Sequence, residues 1–177
     1  FNKLNFMYNF KNFFFNKKVL ITGHTGFKGS WLSLWLHLLG AKVVGVSKDI
    51  PSIPSHYQKL NLDKKIYNVK LDIRDLKKLT LVFKKHKPDI VFHLAAQSLV
   101  KKSYKEPINT FTSNIVGTLN VLESIKHVNK KCISIIITSD KSYKNLEIKR
   151  GYHEKDLLGG TDPYSASKAS AELVIQS

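Results

Sequence analysis

Val19-Leu20-Ile21-Thr22-Gly23-His24-Thr25-Gly26-Phe27-Lys28-Gly29-Ser30 is the stretch from which the fold is read. Residues 19–22 are apolar or β-branched and predict a short buried strand. Gly23, Gly26 and Gly29 follow at a spacing of three, and an apolar run over 31–39, closed by Gly40, predicts a helix. In this strand–turn–helix context the glycines acquire separate tasks. Gly23 permits a tight turn, Gly26 lets a pyrophosphate approach bare backbone, and Gly29 lets the helix press on the strand. The helix N-terminus then offers free N–H groups and the positive end of its dipole to phosphate.

The rest of the chain repeats the strand–helix alternation. Strands are expected at 42–47, 67–72, 89–94 and 133–138, and helices at 75–86, 108–128 and from about 164. Pro51 and Pro54 mark 48–62 as a loop, and a longer loop spans 139–162. Nearly continuous apolar strands alternating with helices imply a parallel sheet covered on both faces. With right-handed crossovers this is a doubly wound, Rossmann-type α/β domain over 18–177. Residues 1–17 are expected to be a poorly ordered lead-in. The alternative for 13–15 is an aromatic strap on the sheet. The first residue is Phe, Met7 offers a start, and the apolar helical pattern is still running at Ser177, so an N-terminal piece of a longer protein is expected.

With 177 residues the chain has length for one domain with a core. Its 29 Lys and Arg against 13 Asp and Glu leave a formal charge of +16. Only Arg74 and Arg150 are arginines, and the lysines are scattered. That distribution speaks against nucleic acid, whose bases are read above all by clustered Arg. Lys, Asn, Ile, Phe and Tyr share A/T-rich codons, which accounts for much of the charge, and a general pull on anionic nucleotides remains. No run approaches the roughly 18 apolar residues of a membrane span, and no cleavage-site pattern marks a signal peptide. Cys132 is the one cysteine, so no disulfide framework exists, and a reducing, cytoplasmic compartment fits. No histidine pair has metal-ligand spacing, and His93, at a strand end, reads as structural.

Ligands of a doubly wound sheet bind beyond the carboxyl ends of its strands. There, 93–98 is His-Leu-Ala-Ala-Gln-Ser, whose small residues Ala95 and Ala96 let a flat ring lie on the backbone. Strand five ends in Thr138-Ser139-Asp140-Lys141, and the last helix opens with Tyr164-Ser165-Ala166-Ser167-Lys168. Positions four apart share a helix face, so Tyr164 and Lys168 stand together. An ammonium beside a phenol favours its ionised form, which makes Tyr164 a candidate base.

The Thr-Gly-x-x-Gly-x-x-Gly turn, His-Leu-Ala-Ala and Tyr-x-x-x-Lys together resemble the extended short-chain dehydrogenases/reductases. Thr138-Ser139-Asp140-Lys141-Ser142-Tyr143 and Gly159-Gly160-Thr161-Asp162-Pro163-Tyr164 bring the resemblance closer to those that dehydrate CDP-glucose, with His24 and Lys141 as its most specific marks. The resemblance implies NAD as cofactor, a nucleotide-sugar substrate, a homodimer built on the long helix at 108–128, and a redox-neutral loss of water giving a 4-keto-6-deoxy sugar. It implies that Tyr164 takes the 4-hydroxyl proton as hydride leaves for NAD, and that Lys168 holds the nicotinamide ribose. Ser139 would hydrogen-bond the 4-oxygen, and Asp140 would protonate the leaving hydroxyl. Lys141 stands where dTDP-sugar relatives keep a Glu base, so its part is either a base of lowered pKa or a cation steadying NAD or the enolate. Cofactor contacts are expected from Gly23, His24, Thr25, Gly26, Phe27, Lys28, Gly29, Ser47, Asp72, Ile73, Leu94, Ala95, Ala96, Ser98, Ser113, Asn114, Tyr164 and Lys168. Ser47 replaces the acidic residue that usually ends strand two, which by itself leaves NAD and NADP open. The rival readings are a nucleotide-sugar 4-epimerase or another dehydratase, and a non-catalytic NAD-binding module.

Overall fold

A computed structural model describes Phe10 and residues 12–177. Five parallel strands, β1 Lys18–Thr22, β2 Lys42–Ser47, β3 Tyr67–Lys70, β4 Ile90–His93 and β5 Ile133–Ile136, form one sheet in the order β3-β2-β1-β4-β5. The order reverses direction at β1, which pairs with β2 through Val19↔Val43 and with β4 through Val19↔Ile90. This is the doubly wound arrangement, with its ligand crevice beyond Thr22 and His93.

Alternation along β1 sends its side chains to opposite faces. Leu20 joins Val46, Val91, Leu79, Phe83 and Val121 on one face. Val19 and Ile21 join Leu36, Val43 and Ile90 on the other. Helix α1 Phe27–Leu38 covers the second face. The short α2 His56–Lys59, capped by Ser55, follows β2, and α3 Leu76–His86 covers the first face. Asp75 caps α3 by accepting Lys78 N–H at 3.1 Å, and Lys87, in the left-handed region at φ 46°, ends it before Pro88. Coverage thins at β5, where Ile133 is exposed, so the expectation of a sheet covered on both faces holds for β1 and β2 and not for this edge strand.

Three expected elements differ in detail. β3 stops at Lys70, because the Asp72 carboxylate accepts the Arg74 N–H at 3.0 Å and turns the chain. β5 stops at Ile136, and the Thr138 hydroxyl donates instead to Glu172. The expected helix at 108–128 is α5 Pro107–Phe111, a π segment Thr112–Val116 and α6 Gly117–Lys126 in succession. Thr112 and Thr118 hydroxyls donate to carbonyls one turn back, Ile108 and Asn114, each at 2.7 Å, and so compete with the backbone ladder at both ends of the π segment. Helix α4 Val100–Lys105 carries no apolar period and was not expected. Helix α7 Pro163–Gln176 begins as expected, with Asp162 accepting Ser165 N–H at 3.0 Å and Pro163 in the first turn.

The expected lead-in falls mainly on residues 1–9 and 11, which lie outside the described residues. Phe14 is buried with Leu36 and Val43, and Phe15 lies over Gly40, whose φ of +82° ends α1. Phe27, Trp31, Trp35 and Leu38 form an exposed stripe on α1; Trp31 tilts over His56 with ring centres 4.3 Å apart, and Phe10 stacks on Trp35 at 5.9 Å. No helix among the described residues is long and apolar enough to cross a membrane.

Candidate active site

The glycine turn is held in the geometry its residues imply. Gly23, at φ 77°, accepts no side chain: a Cβ there would lie 2.7 Å from Ala95 N on the strand-four loop. A Cβ on Gly29 would lie 2.1 Å from the Gly23 carbonyl oxygen, so α1 seats directly on the turn. A Cβ on Gly26 would meet only that same oxygen, at 3.3 Å. Gly26 is the N-cap of α1, with no side-chain cap and no acidic residue in the first turn. The first N–H groups of α1 therefore face the crevice without a competing carboxylate, which fits a dinucleotide pyrophosphate. Phe27 and Lys28 are exposed at this end.

Several expected cofactor contacts have their side chains engaged by the protein itself. The His24 ring is buried flat on Gly45, where a Cβ would lie 2.3 Å from its Cγ. Its Nε2 donates to Asn68 Oδ1 at 2.9 Å, and burial holds its pKa below the usual histidine value. That leaves Nδ1 to accept from the Ser47 hydroxyl at 3.0 Å. Thr25 donates through N–H to Ser47 Oγ and through its hydroxyl to the Asp49 carbonyl. Ser47 is thus a brace for the turn. Asp72 is paired to Arg74 at 2.6 Å, which holds its carboxyl below the ordinary range, and Ile73 is buried under Gly117. Leu94, Ala95 and Ala96 are half-buried along the crevice floor, and Ser98 is exposed. Ser113 faces Asn109 on the π segment. Asn114 accepts Gln97 N–H at 2.8 Å and donates to the Gln97 carbonyl at 3.0 Å and Ser167 Oγ at 2.8 Å, so both its amide hydrogens are in use.

The candidate catalytic residues converge at the end of β5. Lys168 is buried, and its Nζ donates to the Ile137 carbonyl at 3.1 Å, two residues before Ser139. Burial pushes its pKa down to about 8; the Glu172 carboxylate opposes this and the Lys28 ammonium adds to it. Tyr164 is buried one turn earlier on α7. Ser139 caps a 3₁₀ turn, Asp140–Ser142, that packs against α7. The Ser139 hydroxyl donates to Asp140 Oδ1 at 3.1 Å, and Asp140 and Lys141 are exposed along an open cleft of about 580 Å³ shared with Tyr143, Tyr152 and Asp162.

Sequence reasoning missed the residues that seat this machinery. Ser103 on α4 is fully buried and accepts Tyr164 N–H at 3.2 Å. Nothing in Lys-Lys-Ser-Tyr-Lys marks it. Gly160 passes over the first turn of α7, where a Cβ would lie 2.4 Å from that of Ser165; the Gly159-Gly160 pair was a usable signal. Among the described residues no group of three His, Cys, Asp or Glu side chains is placed to hold a metal.

The profile of the family described as GDP-mannose 4,6 dehydratase matches residues 20–177. A CDP-glucose 4,6-dehydratase of Salmonella typhimurium is 49% identical over 164 residues, which are 93% of this chain and 46% of that protein. An epimerase structure from Methanothermobacter thermautotrophicus superposes with a TM-score of 0.84 at 29% identity, covering 98% of this chain and 51% of that one. The UDP-glucose 4-epimerase of Thermus thermophilus in complex with NAD superposes at 0.75 with 27% identity, covering 90% and 50%. The chain spans about half the length of these relatives.

Proposed function

Since the chain belongs to the GDP-mannose 4,6 dehydratase family, we propose that the whole protein is a hydro-lyase of nucleotide sugars, converting CDP-glucose to CDP-4-keto-6-deoxy-glucose with NAD as its bound cofactor. The observation that carries this reading is the meeting of Lys168 with the β5 end, beside Ser139-Asp140-Lys141 and across from an uncapped α1 N-terminus. The substrate's identity leans on the 49% identity to a CDP-glucose 4,6-dehydratase.

The α1 N-terminus and the bare backbone at Gly26 hold the cofactor's pyrophosphate, with Lys28 adding charge. NAD, when bound, would supply a reversible hydride acceptor for the sugar. Tyr164 takes the proton of the sugar 4-hydroxyl, and Lys168, one turn along α7, holds the nicotinamide ribose. Ser139, its hydroxyl turned from Asp140 to the sugar, donates a hydrogen bond to the 4-oxygen, Asp140 passes a proton to the departing 6-hydroxyl, and Lys141 serves removal of the C5 proton, as base or by steadying the enolate. An epimerase shares Tyr164 and Lys168 but has no elimination for Asp140 and Lys141 to serve. The exposed apolar side chains Ile108, Val116 and Leu119, along α5 to α6, supply the face of a homodimer.

Incubation with CDP-glucose and NAD tests the reading. A 4-keto product absorbs near the ultraviolet edge in alkali and is expected. Formation of CDP-galactose without that absorbance makes the protein an epimerase, and NAD binding with neither product makes it a binding module.

A further inference from the structure

We propose that His93, which touches none of the reacting groups, is a positioning residue that sets the spacing between the glycine turn and helix α7. The inference rests on the proposed NAD-dependent chemistry for its kinetic consequence, and on hydrogen-bond geometry for its substance.

Proton counting orients the network. The Thr118 hydroxyl donates its single hydrogen to the Asn114 carbonyl at 2.7 Å. Its 3.0 Å contact with His93 Nε2 therefore has Nε2–H as donor. His93 is fully buried, and burial together with the nearby Lys168 ammonium pushes its pKa down to about 3, so the ring is neutral and Nδ1 carries no hydrogen. The 2.6 Å contact at Nδ1 is then donated by the Thr22 hydroxyl, whose oxygen in turn accepts Ala95 N–H at 3.2 Å. All bonds run one way: Ala95 N–H, Thr22, His93, Thr118, Asn114 carbonyl.

Both ends of this chain lead to the site. Ala95 is the residue pressed against Gly23. Asn114 holds Ser167 at 2.8 Å, and the Ser167 hydroxyl donates to the Tyr164 carbonyl at 2.7 Å. His93 thus spans the gap between β1, which carries the cofactor turn, and α6, which is tied through Asn114 to the helix of Tyr164 and Lys168. An apolar side chain of like size fills the same core but leaves Thr22 and Thr118 without their shared partner, and the two sides lose their fixed separation. Hydride transfer is sensitive to that separation, since misplacement by about 1 Å costs on the order of 10²-fold in rate.

The test has two arms. In ¹⁵N-edited NMR of the wild-type protein, His93 should show a protonated Nε2 and a bare Nδ1; the opposite tautomer, or an imidazolium, overturns the proposal. In kinetics, Thr118→Val removes the acceptor for Nε2–H with little change of shape. It should slow the single-turnover reduction of NAD by CDP-glucose about 10–100-fold, leave the Kd for NAD within about two-fold as measured by calorimetry, and be rescued by Thr118→Ser. An unchanged reduction rate, a failure of Thr118→Ser to recover it, or a loss of NAD affinity that accounts for the slowing each overturns the proposal. If the wild type reduces no NAD with CDP-glucose, the proposed function fails, and the tautomer measurement still decides the arrangement at His93.

Discussion

Lys168 Nζ donates to the carbonyl oxygen of Ile137 across 3.1 Å, which ties the helix bearing the candidate base to the strand end bearing the candidate acid. A buried ammonium held by one carbonyl is poorly solvated, and its pKa of about 8 reflects that. The unfolded chain keeps this lysine near 10.4. Between these values the unfolded state binds the extra proton, so the Lys168 contribution to stability rises with pH from about 8 to 10. Denaturant unfolding at pH 7.5 and 10 should show a smaller rise for Lys168→Met than for wild type. An equal rise in both shows that Lys168 is not the buried cation described.

Gly26→Val and Gly29→Ala should fail in different ways. A Cβ at Gly26 meets only the Gly23 carbonyl oxygen, at 3.3 Å, which a small shift relieves, so the fold should persist while NAD binding, measured by calorimetry, is lost. At Gly29 a methyl group collides with the Gly23 carbonyl oxygen. That variant should unfold several degrees earlier by thermal scan, overpacking of this kind costing about 1–3 kcal/mol.

Tyr164→Phe and Asp140→Asn should separate the two halves of the proposed reaction. Loss of a positioned base costs roughly 10²–10⁴-fold, so Tyr164→Phe should slow both NAD reduction and product formation by that order. Asp140→Asn should spare the first hydride transfer and block water loss, so that NADH or a 4-keto-glucose nucleotide builds up in a single turnover. NAD reduction abolished in Asp140→Asn with cofactor binding intact would reverse the assigned roles.

Leu119→Glu should weaken self-association. Leu119 is half exposed on α6 in line with Val116 and Ile108, and a carboxylate there is buried unpaired if two copies meet on this face. Sedimentation at micromolar concentration should show a dimer for wild type and monomer for the variant; monomer in both rejects the dimer.

What the sequence made legible was whatever depends on neighbours in the chain. The glycine turn, β2 at its full length and the Asp162-Pro163 start of α7 follow from local spacing and capping. Gly45 lies within the expected β2, but that His24 packs on it depends on the sheet bringing 24 and 45 together. The same holds for Asn114: its polar character was visible, while Gln97 and Ser167, its partners, lie 17 and 53 residues away. Within 139–162, Tyr143 bridges Leu158 and stacks on Tyr152, and Arg150 pairs with Asp156. None of these pairings leaves a period in the sequence, and so the segment read as a plain loop.

The aromatic stripe on α1 equips the protein with a built-in optical reporter. The chain has two tryptophans, and both Trp31 and Trp35 belong to the helix whose first turn faces the crevice. Each indole is half wet, at 53% and 51% exposure, and each has a ring neighbour outside the helix, His56 or Phe10. Tryptophan emission therefore comes from one element alone. A nucleotide settling on the α1 N-terminus should alter its intensity or wavelength without any label, and a titration followed at the tryptophan band reads occupancy of the crevice directly.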